Sequence, residues 1–373
     1  MYDNKRMSSN KSIIINLNNL EHNLNLIKNK IGEKEIVATL KGDAYGHGLI
    51  NIFKFLKAKK INYFGLFNIE DAKILKKIDQ STKILMYIKV DKKEIKNLIK
   101  LELLPFVADF EYLFLIEKEC ALQKNKIKVH LKIDIGMNRY GIKIDDNTLE
   151  MATYIQNSKF LELDGVCSHL PATENFKTTQ EQIEQFLFFL ETLKQKNINP
   201  KFVHISNSGH IVNYKLSSQF NMVRPGLILY GYYPSLKNKK NLPNFKPVLN
   251  LFSKVIFIKN VKKGEKISYS GSFQAKEDMK IGIIPIGYFD GIPQNINNNF
   301  YFLIKNKKCK IRGKVCMNIT IIEIPKDLKV KTGSKVEIVS EKLSIDKMSK
   351  FSKRSHYELL CNIGKYENRK YLY

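Results

Sequence analysis

Residues 35–48 read EIVATLKGDAYGHG, an apolar run that stops at Lys41. Three glycines, a tyrosine and a histidine follow within the next seven residues. A short apolar run that ends in a glycine-rich turn predicts a buried strand with a close backbone approach at its end. Lysines in a lysine-rich chain are usually solvated, so whether Lys41 has a function depends on which residues surround it in the fold.

The same kind of apolar run recurs along the first 235 or so residues, each followed by an amphipathic helical segment. The runs are SIIINL (12–17), EIVATL (35–40), INYFGLF (61–67), KILMYI (83–88), LPFVAD (104–109), KVHLKID (128–134), LDGVCSH (163–169), KFVHIS (201–206) and VRPGLILYG (223–231). The first helical segment has a candidate cap in Asn18 or Asn19. Alternating strands and helices predict parallel strands joined by right-handed crossovers. The number of repeats fits a (β/α)8 barrel over residues 12–238 better than a short open sheet.

The pattern changes after KNKKNLPNFKP (237–247), a linker rich in lysine, asparagine and proline. Strand-like runs follow without long helices between them, among them KIGIIPIGYF, CKIRGKVCM and SKVEIV. This predicts a mostly antiparallel β domain over residues 239–373. We expect residues 1–11 to form a tail that associates with the β domain.

Composition excludes several classes of protein. The chain has 373 residues, of which 43% are hydrophobic, which is typical of a globular protein and not of a disordered one. No apolar run is long enough to cross a bilayer, and the start of the chain lacks the apolar segment of a secretory signal, so we expect a cytoplasmic protein. The five cysteines include no CxxC pair, and we therefore expect neither a disulfide framework nor a metal site.

A net charge of +27 raises the possibility of nucleic-acid binding. The lysines are spread over the whole chain, however, and only six of the 63 basic residues are arginines, which nucleic-acid surfaces use for bidentate contacts. A solvated lysine surface is the better interpretation. Where such a chain uses arginine, it indicates that a planar and permanently charged group is required.

The residues that follow the predicted barrel strands are the candidates for function, because active sites of such barrels lie at the carboxyl ends of the strands. They are Lys41, Arg139, His169, Asn207, Ser208, Arg224, Gly226 and Leu227. The cationic members suit an anionic ligand, and a lysine made neutral by burial can form a Schiff base with a carbonyl. Ser208 precedes a short predicted helix, where backbone N–H groups favour a phosphate. An aldehyde that carries a phosphate indicates pyridoxal 5′-phosphate.

These residues lie in motifs that resemble those of bacterial alanine racemases. The motifs are ATLKGDAYGHG (38–48), HLKIDIGMNRYGI (130–142), VCSHLPATE (166–174), VHISNSG (203–209), NMVRPGLILYG (221–231), ISYSGSF (267–273), PIGYFDGIP (285–293), GKVCMN (313–318) and SHYELLCNIG (355–364). They cover essentially the whole chain in order. The resemblance implies a barrel followed by a β domain, a head-to-tail homodimer, and interconversion of L-alanine and D-alanine for peptidoglycan.

The resemblance also implies residue roles for the cofactor. Lys41 would hold pyridoxal phosphate covalently, and Tyr45, Ser208, Gly226, Leu227 and Tyr357 would surround its phosphate. Asn207 and His169 would also belong to the cofactor site. Arg224 would face the pyridine nitrogen with His204 in support. Arg139 would contact both the cofactor and the substrate carboxylate, steadied by Lys132, which is carbamylated in some members.

The second catalytic base would be Tyr269, supplied by the partner subunit and oriented by His169. Tyr288, Cys316 and Met317 would contribute to the substrate entrance, also across the dimer. Two residues depart from the family pattern. Asn318 stands where aspartate is usual, and Gln294 stands where many members have arginine.

Other functions stay open at this point. The chain could racemise serine or a broader set of amino acids, or bind pyridoxal phosphate without catalysis. The β domain and Tyr269 argue against the last, because non-catalytic barrel proteins of this kind lack both. Decarboxylases share the architecture but need an acidic group at the pyridine nitrogen, where this chain has Arg224.

Overall fold

The computed structural model describes residues 10–234, 242–365 and 369–373. The predicted linker lies partly, and the predicted N-terminal tail mostly, outside these residues. Residues 10–234 contain ten strands: β1 (Lys11–Asn16), β2 (Glu35–Thr39), β3 (Tyr63–Leu66), β4 (Lys83–Met86), β5 (Leu104–Val107), β6 (Ile127–Asp134), β7 (Ile142–Lys143), β8 (Leu161–Cys167), β9 (Phe202–His204) and β10 (Met222–Val223).

Eight of these strands form a parallel barrel. Hydrogen bonds join them in the order β10–β2–β3–β4–β5–β6–β8–β9. The ring closes between its two ends, where the Arg224 N–H donates to the Ser206 carbonyl at 2.8 Å. Apolar side chains such as Val37, Phe106 and Met222 fill the interior. The predicted barrel is therefore confirmed.

Helices cover the outside of the barrel, apart from the short segment Lys41–Gly46, which forms the turn after β2. They are α1 (Leu17–Ile31), α2 (Lys41–Gly46), α3 (Leu49–Ala58), α4 (Ile69–Ile78), α5 (Ile95–Lys100), α6 (Phe110–Gln123), α7 (Asp146–Asn157), α8 (Phe176–Gln195) and α9 (Ser208–Asn213). Most begin at an Asn or Asp whose side chain accepts a backbone N–H of the first turn, as these short polar side chains favour. The cap of α1 is Asn16, which accepts from the Asn19 N–H, and not Asn18 or Asn19 as expected.

The rest of the chain is rich in strands, as predicted. Its elements are β11 (Leu249–Lys254), β12 (Phe257–Val261), β13 (Lys266–Ile267), β14 (Phe273–Gln274), β15 (Met279–Ile284), β16 (Tyr301–Ile304), β17 (Lys307–Lys310), β18 (Thr320–Ile324), β19 (Lys335–Val339), α10 (Ile345–Ser352), α11 (His356–Ile363) and β20 (Arg369–Leu372). A six-stranded sheet has the order β17–β16–β19–β11–β1–β20, and a three-stranded sheet joins β12, β15 and β18.

The expectation that SIIINL (12–17) is the first barrel strand is wrong. This run forms β1, which pairs antiparallel with β11 and parallel with β20 in the six-stranded sheet. Ile13 and Ile15 are buried whereas their neighbours are only half-buried, a pattern typical of a strand with one covered face. The barrel begins with β2, after α1.

No helix in the described part of the chain is both long and apolar enough to span a membrane.

Candidate active site

One cavity of about 500 Å³ opens among the residues that follow the barrel strands. The predicted cofactor-binding residues all line it: Lys41, Tyr45, Arg139, His169, Asn207, Ser208, Arg224, Gly226, Leu227 and Tyr357. Lys132 also lines it. Residues separated by more than 300 positions in the chain thus meet in one place.

The cavity is strongly cationic. Lys41, Lys132, Arg139 and Arg224 line it, against the single carboxylate of Glu174. Burial lowers the pKa of Lys41, and the nearby Arg139 guanidinium lowers it further. Burial likewise lowers the pKa of Lys132 to about 8. The arrangement attracts an anion and favours the neutral, nucleophilic form of an amine.

A left-handed turn presents Lys41 and Tyr45 to this cavity. The φ angles from Gly42 to Tyr45 lie between 53° and 64°. Only glycine adopts this conformation without cost, and each other residue costs roughly 1–2 kcal/mol. Such consecutive strained residues persist only where the surrounding structure holds them in place.

Side chains from distant parts of the chain hold the turn. The Asp43 carboxylate accepts the Leu49 N–H at 2.7 Å and pairs with Arg369 of β20. Arg369 also donates to the Gly364 carbonyl, and the Tyr371 hydroxyl donates to the His47 carbonyl at 3.0 Å. The strand that completes the six-stranded sheet therefore also clamps the lysine-bearing turn.

A space without side-chain bulk lies beside Tyr45, and we call this space, bounded by Ser208 and Gly226, the glycine cradle. The Ser208 hydroxyl oxygen accepts the Gly226 N–H at 2.9 Å. A Cβ atom added to Gly226 would lie 2.6 Å from the Tyr45 hydroxyl. The Tyr45 ring packs between those of Tyr230 and Tyr357, with centroids 5.0 and 5.8 Å away. The Tyr45 and Ser208 hydroxyls thus converge beside Gly226, where only glycine fits.

The Arg224 guanidinium is fixed by three contacts. It donates to Nδ1 of His204, to the His204 carbonyl at 2.9 Å, and to the Ser168 carbonyl. Burial and the Arg224 charge hold the pKa of His169 well below its usual range. His169 is therefore a neutral imidazole in the cavity wall.

The loop that carries Arg139 is set by Asp134 at the end of β6. One oxygen of its carboxylate accepts the N–H groups of Gly136, Met137 and Asn138 at 2.9–3.1 Å. The Lys132 amine donates to the Ile133 carbonyl at 3.0 Å.

Tyr269, Tyr288 and Met317 do not line the cavity. Their exposed fractions are 71%, 42% and 53%. The backbone N–H of Tyr288 donates to the Cys316 carbonyl at 3.0 Å, and the Ser268 hydroxyl lies 4.0 Å from the Cys316 thiol. We call the segments 268–271, 287–291 and 315–319 the exposed loop cluster. Asn318 lies in it, and Gln294 lines a separate cavity of about 280 Å³ with Tyr288.

Several lining residues escaped the sequence analysis. Tyr87 follows β4, and its hydroxyl lies 3.1 Å from the Thr39 hydroxyl. Tyr140 donates to the Phe106 carbonyl at 2.8 Å. Thr173 and Glu174 come from the loop after His169. Tyr87 could have been found, because it is the polar residue one position before the end of the run KILMYI.

Two models of the alanine racemase family match this chain. The model of the N-terminal domain covers residues 15–234, and the model of the C-terminal domain covers residues 248–371. The chain belongs to the alanine racemase family. The first model alone spans more than half of the chain, and it contains every residue that lines the cavity except Tyr357.

Relatives of known name agree with this assignment to the alanine racemase family. An alanine racemase of Borreliella burgdorferi is 89% identical over 372 residues, with both chains fully covered. The solved structure of an alanine racemase from Clostridium difficile has a TM-score of 0.91 and 29% identity, covering 98% of this chain and 97% of its own. An alanine racemase structure from Bacillus anthracis with bound L-Ala-P has a TM-score of 0.88 and 28% identity, covering 98% and 95%.

Proposed function

We propose that the protein is a pyridoxal-phosphate-dependent enzyme that interconverts L-alanine and D-alanine in the cytoplasm and supplies D-alanine for peptidoglycan. The observation that carries the proposal is the cavity itself. It joins Lys41, whose pKa is lowered by burial, to a cationic wall and a glycine cradle. The high identity to the Borreliella burgdorferi alanine racemase supports the choice of substrate.

The residues present fit pyridoxal phosphate. Tyr45 and Ser208 offer hydroxyl donors beside Gly226, at a spot where a Cβ atom would clash, which suits the phosphate. The Lys41 amine would attach the cofactor covalently, and Arg224, held by His204 and Ser168, would face its pyridine nitrogen. When bound, the cofactor withdraws electrons from the substrate and makes its α-proton acidic.

Arg224 keeps its proton under all physiological conditions because a guanidinium has a very high pKa. A group at this place that cannot give up its proton leaves the ring nitrogen unprotonated, which disfavours competing reactions such as transamination. Arg139 provides a planar donor pair for the substrate carboxylate. Arg224 therefore limits the cofactor to racemisation, and Arg139 orients the substrate.

Racemisation requires one base on each face of the α-carbon. In the proposed mechanism the Lys41 amine removes or returns the proton on one face, and the Tyr269 phenol does so on the other. Neutral His169 orients Tyr269. Tyr269 is 71% exposed and does not line the cavity of its own chain.

We propose that a second copy of the chain brings the exposed loop cluster to the cavity. Four of its large side chains, Tyr269, Tyr288, Phe289 and Met317, are more than 40% exposed, and Ile319 is 39% exposed. Exposed apolar groups held together on one face are typical of a surface that another protein covers. The strained backbone on both sides of Tyr269, with φ of 67° at Ser268 and 58° at Ser270, indicates that its position matters.

The deciding experiment incubates the protein and pyridoxal phosphate with a panel of L-amino acids and follows the products by chiral chromatography. We expect D-alanine as the main product, no activity in Lys41→Ala, and full activity in Lys54→Ala, a change at an exposed lysine of α3. D-serine as the main product would favour the broader racemase, and no D-amino acid at all would refute the proposal.

Mixing subunits tests whether the sites are shared. An equal mixture of Lys41→Ala and Tyr269→Phe chains forms hybrid dimers with one intact site, so about one quarter of the wild-type activity should return. If Lys41 and Tyr269 served the same site from one chain, the mixture would stay inactive.

A further inference from the structure

A line of buried polar groups leads away from the cavity behind Arg224. The guanidinium donates to Nδ1 of His204, and Nε2 of His204 lies 2.8 Å from Nδ1 of His130. Both histidines are completely buried, 0% exposed. Beyond them, Nε2 of His130 lies 3.6 Å from a carboxylate oxygen of Asp164, which is 3% exposed. The second oxygen of Asp164 accepts from Lys128 at 3.1 Å.

The contacts allow only one arrangement of protons. A guanidinium can only donate, so Nδ1 of His204 must accept. Burial lowers the pKa of both His204 and His130, so each ring is neutral and carries one N–H. The proton of His204 is then on Nε2 and is donated to Nδ1 of His130. The proton of His130 is therefore also on Nε2, facing the Asp164 carboxylate.

The backbone is adapted to bring Asp164 to this place. The pairing of β6 with β8 shifts register between Val129 and His130, so that Asp164 is an extra residue with no partner on β6. Regular alternation would send Asp164 and Gly165 to opposite faces of the strand. The bulge lets both face His130, and a Cβ atom on Gly165 would lie 2.3 Å from Nδ1 of that ring. Bulges often re-aim a side chain beside an active site.

We propose that Asp164 and His130 are positioning residues for the reaction, which fix the tautomer of His204 and so hold the Arg224 guanidinium against the cofactor. The Asp164 carboxylate, 3.6 Å from Nε2 of His130 and so beyond hydrogen-bond distance, attracts the N–H of that ring, and the guanidinium requires Nδ1 of His204 to accept. A His204 ring in the other tautomer would turn an N–H toward Arg224 and push the guanidinium away. The proposal rests on the proposed function only in assigning Arg224 to the cofactor.

The first test reads the tautomers directly and needs no activity. Two-dimensional ¹⁵N–¹H spectra of histidine-labelled protein with bound pyridoxal phosphate distinguish a protonated from an unprotonated ring nitrogen. We expect Nε2–H on both His130 and His204. Protonated Nδ1 on either ring in the wild-type protein overturns the proposal, whatever any variant does.

The second test compares Asp164→Asn with Glu162→Gln. Both carboxylates contact Lys128, at 3.1 and 3.0 Å, but only Asp164 faces His130. In Asp164→Asn we expect a second tautomer of His130 or His204, a shifted absorption maximum of the bound cofactor, and a kcat lower by about 10-fold with little change in KM. Glu162→Gln should leave all three unchanged.

Equal behaviour of the two variants would refute the positioning role. Should Asp164→Asn not fold, His130→Phe removes the same link with a ring that suits the space between Phe106 and Phe202, and should show the same loss of kcat. A wild-type protein with the expected tautomers but no racemase activity would confirm the line of donors and count against the proposed function instead.

Discussion

Replacing Gly226 by alanine tests whether the glycine cradle holds the cofactor phosphate. The new Cβ atom would lie 2.6 Å from the Tyr45 hydroxyl, whereas ordinary contacts of a Cβ begin at 3.4 Å, so the hydroxyl must retreat by 3.4 − 2.6 = 0.8 Å. Tyr45 is 6% exposed and packed between two rings, which leaves little room to move. Overpacking of this kind costs about 1–3 kcal/mol.

If this free energy destabilises the protein with bound pyridoxal phosphate and not the free protein, the affinity for pyridoxal phosphate decreases about 5- to 150-fold. Equilibrium dialysis measures it without relying on tryptophan fluorescence, since the chain has no tryptophan. Gly282→Ala is the matched control, because its Cβ would meet only methyl and methylene carbons at 3.4–3.5 Å. A correctly folded Gly226→Ala protein that binds the cofactor within twofold of the wild type would refute the assignment of the cradle.

Two further substitutions test the charges around the cavity. Because burial lowers the pKa of Lys132 from 10.5 to about 8, the unfolded chain binds a proton between these values that the folded protein does not, so stability rises with pH across this window. This lowering of the pKa corresponds to about 3 kcal/mol. We therefore expect the free energy of unfolding of the wild type, measured with urea, to rise by about 3 kcal/mol relative to that of Lys132→Met between about pH 8 and 10.5. A difference between the two proteins that does not change with pH would contradict the lowered pKa of Lys132. In Arg369→Lys the new side chain lacks the planar guanidinium that binds both the Asp43 carboxylate and the Gly364 carbonyl, so we expect cofactor binding to weaken about 5-fold or more. Arg354→Lys is the control, because Arg354 pairs with Glu358 on the surface, and it should leave cofactor binding unchanged. Equal dialysis affinities for these two variants would show that the clamp is unnecessary.

Much of the barrel was predictable because its strands are marked in the sequence. β5 is buried along its whole length, and β2 to β4 are buried except at the first residue, which gives continuous apolar runs. Residues close behind such runs lie at the rim, and this rule found Lys41, directly after EIVATL, and Arg139, five residues after KVHLKID. β1 resembled these strands only in composition. Its three consecutive isoleucines hid the alternating burial that the structure shows, in which only Ile13 and Ile15 are covered.

The turn after β2 could not be predicted from residue preferences. Asp43, Ala44 and Tyr45 adopt left-handed conformations, which Ala and Tyr do not favour. Their conformation is imposed by β20 and by α11, whose Leu360 carbonyl would lie 2.4 Å from a Cβ atom on Gly46. The bulge at Asp164 was equally hidden, because nothing in LELDGVC indicates that one residue is left unpaired. Long-range contacts decide both features.

The clamp on the lysine-bearing turn has a consequence for the order of events during synthesis. Asp43 and Arg369 are 326 residues apart, so the ribosome completes every strand of the barrel long before the partner of Asp43 emerges. A nascent barrel can therefore close around its apolar interior while the Lys41 turn is still free. Because the clamp comes from the last strand of the chain, the Lys41 turn can take its clamped form only after β20 has joined β1.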